Sequence, residues 1–166
     1  MLARTLGRRF VDLDDALARE WWQAEDARPT SIPSAGALLV ELGQTRFRDL
    51  EQLALERLVA SGAPLVIATG GGCIERAASR RLLRDDATCV WLTAPSSVLV
   101  ERLQADDTVR PALGGGDPAS ELPELAERRA ELYREVAQHV VATEGRAPLE
   151  VCARVAECLD VGSTGV

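Results

Sequence analysis

Two short runs without a charge, PLVIAT at 64–69 and TCVWL at 88–92, set the strongest limit on how this chain can fold. Each has the length of a strand and no alternation of apolar and polar residues, the pattern of a parallel strand covered on both faces. Parallel strands need crossover connections, and the stretches between the short runs carry helical spacing. Leu13, Leu17 and Trp21 recur every four residues, and Phe47, Leu50, Ala54 and Leu58 form a second stripe. The pattern predicts strands over 9–12, 64–68, 88–92 and 139–143, and helices over 14–25, 38–42, 45–61, 76–84, 95–104, 121–138 and 149–159. Strands alternating with helices mean an α/β fold. The 166 residues are the length of one domain and show neither repeat nor linker.

Charge narrows the partners. A formal charge of −7 argues against nucleic acid or an anionic membrane surface. No apolar stretch approaches the length of a membrane span, and the basic MLARTLGRRF runs directly into acidic FVDLDD, which is not a signal peptide. A cytoplasmic location is expected. All 19 basic residues are arginine, which excludes Schiff-base chemistry and any phosphate site built on a lysine of these residues. Cys73, Cys89, Cys152 and Cys158 show no C-x-x-C spacing, and His139 is the single histidine. They read as buried thiols in a reducing compartment rather than metal ligands or nucleophiles.

Several residues carry possible chemistry. The stripe Leu122, Leu125, Arg129, Leu132, Val136 puts an arginine in a core-facing slot. A buried guanidinium needs an anion, either a ligand or a structural carboxylate such as Glu25 or Glu51. Arg48 and Glu51, three apart on one helix, form either a fork preorganised for a ligand carboxylate or an ordinary surface pair. Asp12 and Asp14 flank Leu13 at the carboxyl end of a predicted strand, where open α/β sheets place their sites. They can hold Mg²⁺ through water or accept from a substrate hydroxyl, unless Asp14 merely caps the next helix. Gly70-Gly71-Gly72 leaves a predicted strand directly and either exposes backbone to a ligand or makes a tight turn. Residues 105–118 form a long loop containing Gly114–Gly116 and Arg110-Pro111. Arg110 could close over a phosphate or stay in solvent.

Taken together, these segments resemble shikimate kinases. FVDLD (10–14) is similar to the family's F-x-D-x-D, FRDLE (47–51) to F-R-x-x-E, and IATGGG (67–72) to its strand and triple glycine. RPAL (110–113) is similar to the lid motif and GRAP (145–148) to the adenine-side loop. RRAELY (128–133) matches the R-x-P-L-Y helix with Glu131 in place of proline. The resemblance covers nearly the whole chain. It implies a three-layer α/β/α P-loop kinase fold with a parallel sheet, in one domain over 1–166 with a lid at 105–118. The implied reaction is transfer of the ATP γ-phosphoryl to the 3-hydroxyl of shikimate, in chorismate and aromatic amino-acid biosynthesis.

The resemblance also assigns roles. Asp14 would accept hydrogen bonds from the shikimate hydroxyls and orient or deprotonate the reacting one. Arg48 and Arg129 would hold the carboxylate, with Gly70, Gly71 and Gly72 lining the substrate. Arg110 would act at the ATP phosphates, Arg146 would lie beside the adenine, and Asp12 would sit near Mg²⁺. The expected cofactors are ATP and Mg²⁺, the partner is the small molecule shikimate, and a monomer is expected.

The sequence departs from the family in one respect. It holds no G-x-x-x-x-G-K-[ST] run, and Met1-Leu2-Ala3 matches the interior of the helix that follows that run. The expectation is an N-terminally truncated kinase domain without its central strand and P-loop, inactive in phosphoryl transfer until they are restored. The absent strand would lie between those at 64–68 and 88–92. Each backbone group left unpaired at the facing edges would cost about 1–3 kcal/mol. An alternative is a non-catalytic shikimate-kinase-like domain that binds a small acid or serves regulation.

Overall fold

The computed structural model of the chain describes residues 1–24, 30–105 and 117–161. In chain order it holds α1 (Leu2–Thr5), β1 (Arg9–Asp12), α2 (Leu13–Ala24), α3 (Ala35–Ala60), β2 (Leu65–Ala68), a 3₁₀ turn (Cys73–Glu75) and α4 (Ala77–Asp86). Then follow β3 (Val90–Thr93), α5 (Ser96–Gln104), α6 (Pro118–Val136), β4 (His139–Ala142) and α7 (Pro148–Val161). All four expected strands form, and helices separate them, as an α/β fold requires. No helix among the described residues is long and apolar enough to cross a membrane.

The strands pair as two parallel couples. β1 runs beside β2 with Arg9 opposite Leu65 and Asp12 opposite Ala68. β3 runs beside β4 with Val90 opposite His139 and Thr93 opposite Ala142. β2 and β3 share no ladder, so the hydrogen-bonded sheet is interrupted between the strands expected at 64–68 and 88–92. Side-chain exposure, not the interruption, corrects the reading of PLVIAT and TCVWL as covered on both faces. Leu65, Val66 and Ile67 are half-buried, Ala68 is exposed, and Leu92 is 53% exposed. Two-stranded ribbons leave one edge of each strand and much of each face without neighbours.

The apolar core therefore sits among helices. Leu13, Leu17 and Trp21 of α2 pack with Leu38, Phe47 and Leu55 of α3, and Cys73, Ile74, Leu83 and Val136 extend the cluster. The sequence stripes on α2 and α3 are the faces that meet. Asp12 starts α2 as its cap: its Oδ1 accepts from the Asp14 amide at 3.0 Å and the Asp15 amide at 3.3 Å. Asp14 is thus the second helical residue and not the cap. Ser34 caps α3 by accepting from the Ala37 amide at 3.2 Å. The two helices expected at 38–42 and 45–61 join into this one element, bent where Gly43 takes φ 74° and ψ 162°.

That bend offers a clean test. The Gly43 conformation lies in a region that only glycine occupies without strain, while a methyl there would touch nothing within 4 Å. Gly43→Ala is expected to lower stability by about 1–3 kcal/mol through the backbone alone. Urea unfolding should then show a lower midpoint with an unchanged slope. No change in midpoint would mean that the helix runs straight through residue 43.

Candidate functional site

Gly70-Gly71-Gly72 follows the carboxyl end of β2, the edge at which open α/β sheets place their sites. None of the three glycines has a positive φ, so the run is not needed for a left-handed turn. It is needed for room. A Cβ on Gly70 would lie 3.1 Å from Asp14 Oδ1 and 3.3 Å from Glu51 Oε1. On Gly71 it would lie 3.2 Å from the Tyr133 hydroxyl and 3.5 Å from Arg129 Nη1. On Gly72 it would collide with the Arg48 guanidinium. The three bare Cα atoms form a floor on which Asp14 from α2, Arg48 and Glu51 from α3, and Arg129 and Tyr133 from α6 converge.

Arg48 is only 8% exposed. Its Nη1 donates to Glu51 Oε2 at 2.8 Å and its Nε donates to Glu75 Oε2 at 3.3 Å, while the guanidinium carbon lies 5.3 Å from the Phe47 ring centre. Glu51 is 1% exposed, so the pair is no surface ornament. Burial pushes the Glu51 carboxyl up, against the pull of the neighbouring Arg48 charge. Glu51 Oε1, the oxygen facing Gly70, has no hydrogen-bond partner among the described residues.

Arg129 points inward as its place in the stripe predicts; of the two structural carboxylates expected for it, Glu25 lies outside the described residues and Glu51 serves Arg48. The anion is Glu75. Arg129 Nε donates to Glu75 Oε1 at 3.0 Å, and Nη2 donates to the same oxygen. Burial alone would raise the Glu75 carboxyl, yet the hydrogen bonds and charge of Arg129, joined by Arg48, hold it below the ordinary glutamate range. Tyr133, one turn beyond Arg129, donates its hydroxyl to the Gly71 carbonyl at 2.8 Å. Its ring stacks on Trp91 of β3 with centroids 5.2 Å apart. Burial raises the phenol, which keeps the donated proton in place.

Glu75 and Tyr133 are the site residues that sequence reasoning missed. Tyr133 carries a signal, since a residue four positions after Arg129 shares its helix face. Glu75 carries almost none: its side chain reaches Arg129 only because the 3₁₀ turn after the glycines aims it there.

Asp12 and Arg146, the remaining candidates among the described residues, are engaged elsewhere. Asp12 spends Oδ1 on capping α2, and no group of three or more His, Cys, Asp or Glu disposed for a metal exists among the described residues. Arg146 Nη1 donates to the Ala142 carbonyl at 2.8 Å, beside the end of β4 on the other strand pair. Arg110 and Gly114–Gly116 lie outside the described residues. Among the four cysteines only Cys73 is buried, and burial pushes its thiol up, which rules out a ready nucleophile; Cys89, Cys152 and Cys158 are half-buried.

A sequence profile described as "Shikimate kinase" matches residues 1–160. Shikimate kinase 2 of Escherichia coli is 38% identical over 161 residues, which span 95% of this chain and 84% of that protein. Shikimate kinase 2 of Shigella flexneri gives the same figures. Among solved structures, shikimate kinase from Acinetobacter baumannii in complex with shikimate superposes with a TM-score of 0.82 at 29% identity, covering 98% of this chain and 84% of that one. The enzyme from Aquifex aeolicus gives 0.76 at 27% identity, covering 99% and 89%.

The glycine floor is testable residue by residue. Gly72→Ala forces the Arg48 guanidinium away from its buried partner Glu51, and breaking such a pair is expected to cost about 3 kcal/mol. Gly71→Ala meets only the tip of Tyr133 and the end of Arg129 and should cost a small fraction of that. Thermal unfolding of the two variants side by side checks the order; equal losses would mean that Arg48 is not anchored over Gly72.

Proposed function

This chain belongs to the shikimate kinase family, and we propose that the floor at Gly70–Gly72 receives shikimate, the acceptor of the ATP γ-phosphoryl at its 3-hydroxyl. The observation that carries this reading is the meeting of two inward guanidiniums from separate helices, Arg48 and Arg129, beside the carboxylate of Asp14. Two fixed arginines read a carboxylate in a defined plane. A carboxylate near them reads hydroxyls by accepting from them, and can take the proton of the one that reacts. A small acid bearing several hydroxyls satisfies both. The relative from Acinetobacter baumannii, whose structure holds shikimate, supports the same assignment.

In this arrangement Arg48 and Arg129 fix the carboxylate. Asp14 orients the ring through its hydroxyls and points the reacting oxygen toward the phosphoryl donor. Gly70, Gly71 and Gly72 let the ring lie close to the backbone. ATP and Mg²⁺ are the cofactors of shikimate kinases generally, but two residues that motif position assigns to them are engaged otherwise: Asp12 Oδ1 caps α2, and Arg146 Nη1 donates to a carbonyl. No step is therefore derived through the nucleotide or its metal. The assignments of Asp12 to Mg²⁺, Arg146 to adenine and Arg110 to the phosphates rest on motif position. A monomer working in the cytoplasm completes the proposal.

The alternative is a domain that binds a small hydroxylated acid without turning it over. Calorimetric titration of the 166-residue chain separates the outcomes. Shikimate is expected to bind at one site per chain, and Arg129→Leu is expected to weaken binding about 100-fold. Undiminished binding by that variant, or no binding by the parent chain, would overturn the site assignment. Appending a strand and a G-x-x-x-x-G-K-[ST] loop at the N-terminus decides between the readings: ADP formed in step with shikimate supports the kinase, and binding without ADP supports the binding domain.

A further inference from the structure

The clamp formed by Arg48 and Arg129 already holds a carboxylate. Glu75 lays one oxygen on each arginine: Oε1 accepts from Arg129 Nε and Nη2, and Oε2 accepts from Arg48 Nε. A carboxylate bridging two guanidiniums is the arrangement that an acidic ligand would make in the same place.

The two glutamates around Arg48 differ in how easily they leave. The Glu51 side chain is 2% exposed and sits one turn along the same helix, so it is fixed. The Glu75 side chain is 31% exposed, while the arginines it joins are 10% and 11% exposed. It stands on a three-residue turn directly after the glycine run, and rotating it into water unfolds nothing. The charges point the same way. Among the described residues, Glu51 and Glu75 set two carboxyl groups against the guanidiniums of Arg48 and Arg129. Adding a ligand carboxylate would make three against two in a half-buried site, an unfavourable count at low dielectric. Exchanging it for Glu75 leaves the count unchanged.

We propose that Glu75 is an internal stand-in for the ligand's carboxylate, bridging Arg48 and Arg129 while the site is empty and swinging into solvent when an acid binds. It thereby becomes a specificity-determining residue. It keeps the two arginines aimed at one point, and it sets the threshold that an incoming acid has to exceed. This inference rests on reading Arg48 and Arg129 as the carboxylate clamp.

The test compares the 166-residue chain with Glu75→Gln, using shikimate and its uncharged methyl ester as probes in calorimetry. Removing the competitor is expected to tighten shikimate about tenfold, since apparent affinity scales with the fraction of open sites. The methyl ester should bind both proteins equally. The variant should also melt at a lower temperature without ligand and gain more from added shikimate than the parent does. Glu75→Asp, one methylene shorter, should fall between the two and serves if Glu75→Gln does not fold. Glu75→Gln binding shikimate equally or more weakly while cooperatively folded would overturn the inference and leave Glu75 as a strut. If the parent chain does not distinguish shikimate from its ester, the clamp itself is wrong, and the inference falls with it. If the parent does distinguish them and the variants add nothing, only the stand-in is wrong.

Discussion

Two like charges brought to one point repel, and the site exists because carboxylates and bare backbone absorb that repulsion. Arg48 comes from α3 and Arg129 from α6, eighty-one positions apart in the sequence. Glu75 lies between their Nε groups, and Glu51 holds Arg48 from behind. Such buried pairs are poor sources of net stability, because desolvation consumes most of the Coulombic gain. Their value here is positional. Held from behind by the fixed Glu51, Arg48 keeps its fork in one plane, and a ligand meets donors that need no reordering. Gly72 belongs to the same device, since any side chain there would occupy the volume of the Arg48 guanidinium.

The split sheet explains why the site is braced by side chains. β2 delivers the glycine run and β3 delivers Trp91, yet no backbone ladder joins those strands. The link is a stack and a hydrogen bond: Trp91 against the Tyr133 ring, and the Tyr133 hydroxyl on the Gly71 carbonyl. The helical core of α2 and α3 fixes Asp14 and Arg48, while α6 brings Arg129 and Tyr133 from the other side. The site is thus framed by three helices around one strand end.

Much of this was legible in the chain. The short apolar runs located the strands, the stripe through Arg129 showed an inward charge, and the three-residue spacing of Arg48 and Glu51 forecast their pairing. Motif order identified the family. Sequence reasoning went astray where pairing is non-local. Asp12 and Asp14 read as a pair flanking Leu13 at a strand end, with Asp14 as the alternative cap, but the helix begins between them, so that Asp12 is the cap and Asp14 faces Gly70. The strands read as covered on both faces because apolar content records what a strand can bury, not what lies over it. Glu75 was invisible because its role depends on a 3₁₀ turn and on an arginine fifty-four positions away.

The central claim is that Arg48 and Arg129 act as one clamp, and their side-chain Nε–H groups report on it directly. Both donate to Glu75 in the empty site, so both should give sharp, slowly exchanging resonances in a nitrogen-15 correlation spectrum. On titration with shikimate the two resonances are expected to move together, saturating at the same ligand concentration. Movement of one alone, or two different saturation points, would contradict the account.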